Sequence, residues 1–385
     1  MTTPWSPDAL RAREFAWMDR GDVTYLNAAS TGPMPASAVA AVNAFNAKRA
    51  EPHTISFEEQ FGVLAEARER CARLVGAAPD EIGVAVNTSY GINLAARALP
   101  LAASDVVVTS DREFPANVYP WMALAEARGV VLDLVPCRDG LPDEDALIAA
   151  LDRPGVRVLA ISWVSFATGA RVDLVRLGEA CRERGIFFIV DAIQGVGAAA
   201  LDLATTHVDI LACGAQKWML SPWGTGFLYV RRGLVEQLTP DVVGWLAVEG
   251  SADFERLLDY DLAFHRDARR FEQLTGPFQD YAGVNASLAL FDEVGAERVA
   301  AHIHRCTTRL IEWASERRDV RLVTPVAPER RAGIVALEPP DATAASARLT
   351  AAGVVHVVRE GRVRLAPHLY TTDRDIDVAL TALES

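Results

Sequence analysis

From about residue 81, short apolar runs alternate with segments in which apolar residues recur every three or four positions. The apolar runs predict strands at Glu81–Val86, Asp105–Ser110, Val130–Val135, Arg157–Ser162, Ile186–Asp191, Asp209–Cys213 and Thr225–Val230. Helical spacing lies between them, as in Ala116–Arg128, Asp143–Leu151 and Asp173–Arg184. Several strands are apolar on both faces, which is typical of a parallel sheet covered by helices on each side. The pattern predicts a three-layer α/β domain with a mostly parallel sheet.

The pattern changes after about residue 276. Two long helical stretches are followed by short strands and one more helix, at Phe278–Val294, Glu297–Arg318, Val320–Thr324, Gly333–Leu337, Asp341–Ala352, Val354–Val358 and Arg362–Leu365. This order predicts a smaller C-terminal α+β domain. We therefore expect a helical segment at 1–20 that packs near the small domain, a large domain at 21–275 and the small domain at 276–385.

Composition narrows the class of protein. The chain has 385 residues, 50% of them hydrophobic, and a formal net charge of −13, which argues against disorder and against nucleic acid as a partner. No apolar stretch approaches the roughly 18 residues of a membrane helix, and the N-terminal residues carry charges where a secretory segment would be apolar, so we expect a cytoplasmic protein. Five scattered cysteines and seven histidines show no disulfide or metal spacing.

Ligands of open α/β sheets bind beyond the carboxyl ends of the strands, so the residues there carry the candidate chemistry. Lys217 follows such a strand, and it is one of only two lysines in a chain that otherwise uses arginine. The other, Lys48, lies in an amphipathic helix and is interpreted as a surface residue. An amine can lose its proton and attack a carbonyl, whereas a guanidinium cannot, so Lys217 is a candidate for a Schiff base.

Other strand ends offer an anion site, a ring and an acid. Thr88 and Ser89 stand at the start of a helix and could bind an anion or simply cap the helix. Phe114 could stack on a planar ligand or belong to the core. Asp191 closes an apolar strand and needs a cation or donors, which a structural salt bridge or helix cap would also supply.

A nicotinamide-dependent oxidoreductase is a competing hypothesis, because Gly195-Val196-Gly197 matches part of a dinucleotide fingerprint. The glycines come late in the domain, open no clear helix and lack the acid that would bind the ribose. Lys217 lacks the flanking Gly and Ser or Thr of a phosphate loop, and no G-x-S-x-G nucleophile elbow is present.

Taken together, the chain resembles the class V aminotransferase group of fold-type I pyridoxal-phosphate (PLP) enzymes, which includes cysteine desulfurases, kynureninases and isopenicillin-N epimerase-like proteins. The resemblance runs from Tyr25-Leu26-Asn27-Ala28-Ala29 to Val363–Thr372. It implies an α/β fold and a homodimer whose sites are shared between subunits.

The resemblance also implies a role for each matching residue. Lys217 would hold PLP as an aldimine and move the substrate Cα proton, and Asp191 would pair with the pyridine nitrogen. Arg364 would bind the substrate carboxylate. The remaining cofactor-binding and substrate-binding candidates are Thr88, Ser89, Phe114, Gln194, Gln216, Thr275 and Asn27. Thr275 matches a threonine that reaches the phosphate of the neighbouring subunit.

Departures from the family pattern bear on the reaction. Gly214 and Gln216 replace a Ser and a His, Phe166 replaces an Asn, and the segment Val354–Arg362 contains no Cys. We therefore expect an enzyme that forms a Cα carbanion on a small amino acid, of the aminotransferase or C–S/C–C lyase type and not a persulfide-forming desulfurase. A racemase or epimerase is the alternative, and a non-catalytic PLP-binding protein is a further one.

Overall fold

A computed structural model describes residues 5–273 and 275–384 of the chain. Its main sheet has seven strands, in the order β2-β8-β7-β6-β5-β3-β4. Their bounds are β2 Ile82–Ala85, β3 Val106–Ser110, β4 Val131–Val135, β5 Val156–Ser162, β6 Phe187–Asp191, β7 Ile210–Gly214 and β8 Gly226–Val230. Only β8 runs antiparallel to its neighbours, so the mostly parallel sheet expected from the sequence is confirmed.

Successive residues of each strand enter opposite layers, as the pleat requires. Val107, Val158 and Ile189 pack in the layer that contains Ile92 and Trp121. Their chain neighbours Val108, Leu159 and Val190 pack in the other layer, with Leu64, Leu177 and Tyr281. Burial on both faces explains why these strands are continuously apolar in sequence.

Helices surround the sheets. They are α1 Pro7–Glu14, α2 Trp17–Arg20, α3 Ala36–Ala50, α4 Phe57–Val75, α5 Thr88–Ala98, α6 Tyr119–Arg128, α7 Glu144–Ala150, α8 Leu174–Arg184, α9 Arg232–Val235, α10 Phe278–Val294, α11 Ala296–Ser315, α12 Ala342–Ala351 and α13 Asp373–Glu384. Those predicted from sequence with bounds, α6, α7, α8, α10, α11 and α12, lie close to their predicted positions.

The C-terminal region contains an antiparallel sheet in the order β12-β13-β10-β9. Its strands are β9 Arg321–Leu322, β10 Val335–Glu338, β12 Val357–Arg359 and β13 Arg362–Leu365. A further pair joins β1 Thr24–Tyr25 to β11 Val354–Val355 in parallel. The single strand predicted at Val354–Val358 is therefore two, because β11 pairs with β1 and β12 pairs with β13.

The N-terminal segment and α10 connect the two parts of the molecule. Arg11 of α1 pairs with Asp375 of α13 at 2.5 Å, and Arg13 pairs with Glu293 of α10 at 2.8 Å. Although the sequence analysis assigned α10 to the small domain, this helix packs chiefly against α3 and α4. The limits 1–20, 21–275 and 276–385 stay a prediction.

Candidate active site

The carboxyl ends of β5, β6 and β7 lie side by side, which brings together the segments that follow these three strands. Ser162 is in register with Asp191, and Asp191 is in register with Ala212. The start of α5 joins them, because the Gly214 backbone N–H donates to the Thr88 hydroxyl at 2.9 Å. The residues selected from sequence at these strand ends therefore face one region of the sheet edge.

Lys217 lies in this region with its Nζ 5.6 Å from the centroid of the Phe114 ring. Burial lowers the pKa of Lys217 to about 8. The negative charge of Asp191 opposes this shift, while the positive charges of Arg364 and Arg359 add to it. A substantial fraction of this amine is thus neutral near physiological pH, as a Schiff-base lysine requires.

Asp191 is 2% exposed and accepts one hydrogen bond, from the Ile193 N–H at 3.0 Å. Burial raises its pKa to about 6. Among the described residues it makes no salt bridge and caps no helix, so the structural roles left open by the sequence do not account for it. A buried carboxyl without a cation fits a site that receives one from a ligand.

Arg364 on β13 is also buried, at 3% exposure. Its Nη1 donates to the Phe166 carbonyl and its Nη2 to the Ser30 hydroxyl, both at 2.7 Å, while its Nε has no partner. Both acceptors are neutral, and burial lowers the Arg364 pKa to about 10. Asn27 forms an isolated backbone β-bridge with Ala366, two residues after Arg364, and its buried side-chain oxygen has no partner. This end of the site suits a carboxylate.

The start of α5, beside Gly214, supplies a further part of the site. Its cap is Asn87, whose side chain accepts from the Tyr90 N–H at 2.8 Å. Thr88 and Ser89 are therefore not the caps, and their backbone N–H groups lie in the first turn, where no helical partner exists. The Thr88 side chain is buried and the Ser89 side chain is exposed. Such a helix start suits an anion.

Gln194 is anchored from two sides. Its amide nitrogen donates to the Ala29 carbonyl at 3.0 Å, and its oxygen accepts from the Trp218 indole at 2.8 Å. One amide N–H remains for a ligand. Gln216 has a buried oxygen without a partner, and a Cβ at Gly214 would lie 2.5 Å from that oxygen. The two departures at 214 and 216 are therefore linked by packing.

Phe114 is not a core residue, because 43% of it is exposed. Its ring meets the Phe166 ring edge to face, with centroids 5.2 Å apart and planes at 73°. This exposed ring near an amine can cover one face of a planar ligand.

Thr275 lies apart from the other candidates within one chain. It is exposed, and its hydroxyl accepts from the Trp245 indole at 3.1 Å. The preceding segment is held firmly, since Glu272 receives two hydrogen bonds from Arg68, at 2.8 and 2.7 Å, and one from the Val84 N–H. The role of Thr275 toward a neighbouring subunit stays a prediction.

The glycines that favoured a dinucleotide have a packing explanation. A Cβ on Gly195 would lie 2.0 Å from the Trp163 ring. Gly197 has a φ of +90°, and a Cβ there would lie 2.4 Å from the Trp218 carbonyl oxygen. Both glycines are buried, so their spacing serves the close approach of the Trp163 ring and of the Trp218 backbone.

The sequence analysis did not select Glu113, Ser30 or Trp218. Glu113 accepts hydrogen bonds from Ser110, Asn117 and Ser162. The available signal was an acid directly after a strand and next to Phe114. Ser30 and Trp218 gave no comparable signal, because their roles depend on remote partners, Arg364 and Gln194.

The profile of the family described as Aminotransferase class-V matches residues 24–361. The chain belongs to this family. Isopenicillin N epimerase of Streptomyces clavuligerus is 30% identical, over 94% of each chain. A probable cysteine desulfurase of Methanothermobacter thermautotrophicus is 30% identical, over 75% of this chain and 72% of that one. A solved mutant of C-DES, with glycine covalently linked to its PLP cofactor, has a TM-score of 0.87 at 23% identity, over 97% of this chain and 98% of that one.

Family membership confirms an enzyme that uses PLP, and the structural likeness confirms the fold class. The site of this class-V aminotransferase relative fits the cofactor: an amine of lowered pKa, a buried acid without a salt bridge among the described residues, an exposed ring and a free helix start surround one region. In the described part of the chain, no group of three or more His, Cys, Asp or Glu could hold a metal ion. No described helix is both long and apolar enough to span a membrane.

Proposed function

We propose that this class-V aminotransferase relative acts on a small amino acid, whose α-carboxylate binds Arg364 and whose Cα proton is moved by Lys217. The observation that carries the proposal is the buried Arg364 guanidinium, which has only neutral acceptors and an unpartnered Nε. Its charge also acts on the pKa of Lys217, which supports a short distance between carboxylate and amine. The unpartnered Asn27 oxygen would accept from an N–H or O–H donor of the substrate, since a carboxylate supplies none.

Other residues would hold the cofactor in place. Asp191 would keep the pyridine nitrogen protonated, and Phe114 would cover the ring. Thr88, Ser89 and the start of α5 would bind the phosphate, while the spare N–H of Gln194 would donate to the ring oxygen. Bound PLP supplies a sink for the electron pair left by the Cα proton.

Gln216 would add a second amide beside the cofactor. Its oxygen is buried without a partner, and an N–H donor on the ligand would satisfy it. This assignment follows from the resemblance, in which position 216 precedes the reactive lysine.

The reaction type is proposed as aminotransferase or C–S/C–C lyase, with racemase or epimerase as the second candidate. Relatives named as cysteine desulfurases favour C–S chemistry, and the epimerase relative favours reprotonation. The exclusion of a persulfide-forming desulfurase stays a prediction, since it rests on the missing cysteine in 354–362 and several relatives carry that name.

The test uses the purified enzyme with PLP and a panel of single amino acids in D₂O. Loss of the Cα–H signal in NMR reports the proton transfer that all these reactions share. Lys217→Ala should lower the exchange by at least about 1000-fold. Lys48→Ala is the matched control, because Lys48 is the other lysine and pairs with Glu59 on the surface.

The products then separate the reaction types. A keto acid that requires an acceptor indicates an aminotransferase. Sulfide, or pyruvate and ammonia formed without an acceptor, indicates a lyase, and the opposite enantiomer indicates a racemase or epimerase. Exchange that survives in Lys217→Ala would contradict the assignment of the base. Absence of exchange with every amino acid, despite bound PLP, would favour the non-catalytic alternative.

We also propose a homodimer with shared sites and a cytoplasmic location. Exposed apolar residues cluster in sequence before Thr275, including Trp245, Leu258, Tyr260 and Leu262. If Thr275 serves the partner subunit, a mixture of Lys217→Ala and Thr275→Ala chains should regain activity that neither has alone. Light scattering that gives a monomer mass would contradict the dimer.

A further inference from the structure

Glu113 is a partly buried acidic side chain to which the proposed function assigns no role. Its Oε1 accepts from the Ser110 hydroxyl at 3.1 Å. Its Oε2 accepts from the Asn117 amide and the Ser162 N–H, each at 2.9 Å, and from the Ser162 hydroxyl. Among the described residues it has no basic partner. These donors replace the water that an isolated carboxylate would lose on burial.

The donor set requires an acceptor at this position. A carboxylate accepts at both oxygens, whereas a glutamine of the same shape presents an NH₂ group on one side. The Ser162 backbone N–H points at Oε2 and cannot turn into an acceptor at that contact. Burial raises the pKa of Glu113, and the hydrogen bonds oppose that shift.

The bonds of Glu113 connect two parts of the active site. Glu113 directly precedes Phe114, whose ring centroid lies 5.6 Å from the Lys217 amine. Ser162 ends β5 in register with Asp191, and the next residue, Trp163, donates its N–H to the Asp191 carbonyl at 2.9 Å. The charge of Glu113 also raises the pKa of Asp191, so the two acids are close.

We infer that Glu113 is a positioning residue for the proposed reaction: it ties the turn that carries Phe114 to Ser162, and it places a second acid behind Asp191. The inference rests on the proposed function. Glu113 touches neither substrate nor cofactor in this assignment. Its work is to hold the ring of Phe114 and the carboxyl of Asp191, the two groups assigned to the cofactor ring and its nitrogen, at a fixed separation.

The test compares Glu113→Gln and Ser162→Ala with the wild-type enzyme. Asp111→Asn is the matched control, because Asp111 is an exposed acid in the same turn that accepts from the Cys137 N–H, a bond that Asn keeps. The readouts are the Kd of PLP, the circular dichroism of bound PLP, and kcat and KM for an amino acid that the exchange screen identifies.

Glu113→Gln should raise the Kd of PLP at least about 5-fold, change the circular dichroism of the bound cofactor, and lower kcat at least about 10-fold. KM should stay within about 2-fold, because Arg364 binds the substrate carboxylate separately. Ser162→Ala should shift the same quantities in the same direction by less, and the double variant should fall short of the product of the two effects.

Normal circular dichroism, Kd and kcat in a folded Glu113→Gln protein would overturn the inference. So would a loss of activity that tracks only the unfolded fraction in a thermal melt. If Glu113→Gln does not fold, Ser162→Ala decides the question by the same readouts. The Kd of PLP and the circular dichroism do not depend on turnover. A failure of the proposed function, seen as no Cα exchange in the wild type, can therefore be distinguished from a failure of the inference about Glu113.

Discussion

The lowered pKa of Lys217 predicts that the apoenzyme captures PLP at a pH where ordinary lysines do not react. Only the neutral amine attacks an aldehyde. Burial lowers the Lys217 pKa from 10.5 to about 8. At pH 7 roughly 10% of this amine is neutral, against roughly 0.03% of an ordinary lysine, which is a difference of about 300-fold.

Two substitutions should move this pKa in opposite directions. Arg364→Gln removes a positive charge that lowers the Lys217 pKa, so the pH midpoint of PLP capture should rise. Asp191→Asn removes a negative charge that raises the Lys217 pKa, so the midpoint should fall. Arg364→Lys keeps the charge and serves as the control, with a midpoint near that of the wild type.

The assay follows the rate of PLP capture by apoenzyme against pH, by absorbance in stopped flow. Rates are divided by the rate constant of the neutral amine of Nα-acetyl-lysine in the same buffers, which removes the titration of PLP itself. The capture rate of the wild-type apoenzyme should reach half of its maximum near pH 8. A midpoint near 10, or shifts of the same sign in Arg364→Gln and Asp191→Asn, would refute this reasoning.

Three further predictions follow from other contacts. Arg364→Lys should raise KM for the amino acid by roughly 30-fold in steady-state kinetics, since losing a two-pronged carboxylate contact costs about 2 kcal/mol. An unchanged KM would mean that the substrate carboxylate binds at a residue other than Arg364. Burial raises the pKa of Asp191 from 3.8 to about 6, so the contribution of this carboxyl to folding stability is lost as pH rises through 6. Asp191→Asn should therefore increase the free energy of unfolding of the apoenzyme, measured in urea, by up to roughly 3 kcal/mol at pH 8 and by less at pH 5. Gly195→Ala should destabilise the fold by at least about 1–3 kcal/mol in the same assay, because its Cβ would lie 2.0 Å from the Trp163 ring, whereas Gly62→Ala, with no atom within 4 Å, should not.

Local patterns were sufficient for much of the fold. The predicted strand Ile186–Asp191 is observed at Phe187–Asp191, and the predicted helix Phe278–Val294 has those same bounds. Hydrophobic periodicity reports burial along a segment, and burial on both faces requires only that helices cover the sheet. It does not report which helix covers which face, so the packing of α10 against α3 and α4 was not predicted.

The active site divides in a similar way. Lys217 stood out by the scarcity of lysine, and Asp191 by its place at the end of an apolar strand. Whether Thr88 capped a helix or served a ligand was open until Asn87 proved to be the cap.

The sequence by itself therefore determined the order of strands and helices along the chain and the family, and it selected the candidate residues for the chemistry, because these depend on side-chain type and local spacing. The tertiary structure alone decided that Arg364 meets Ser30 and that Glu113 binds Ser162. Such contacts join residues far apart in sequence, and their hydrogen bonds and buried charges exist only after the segments have packed.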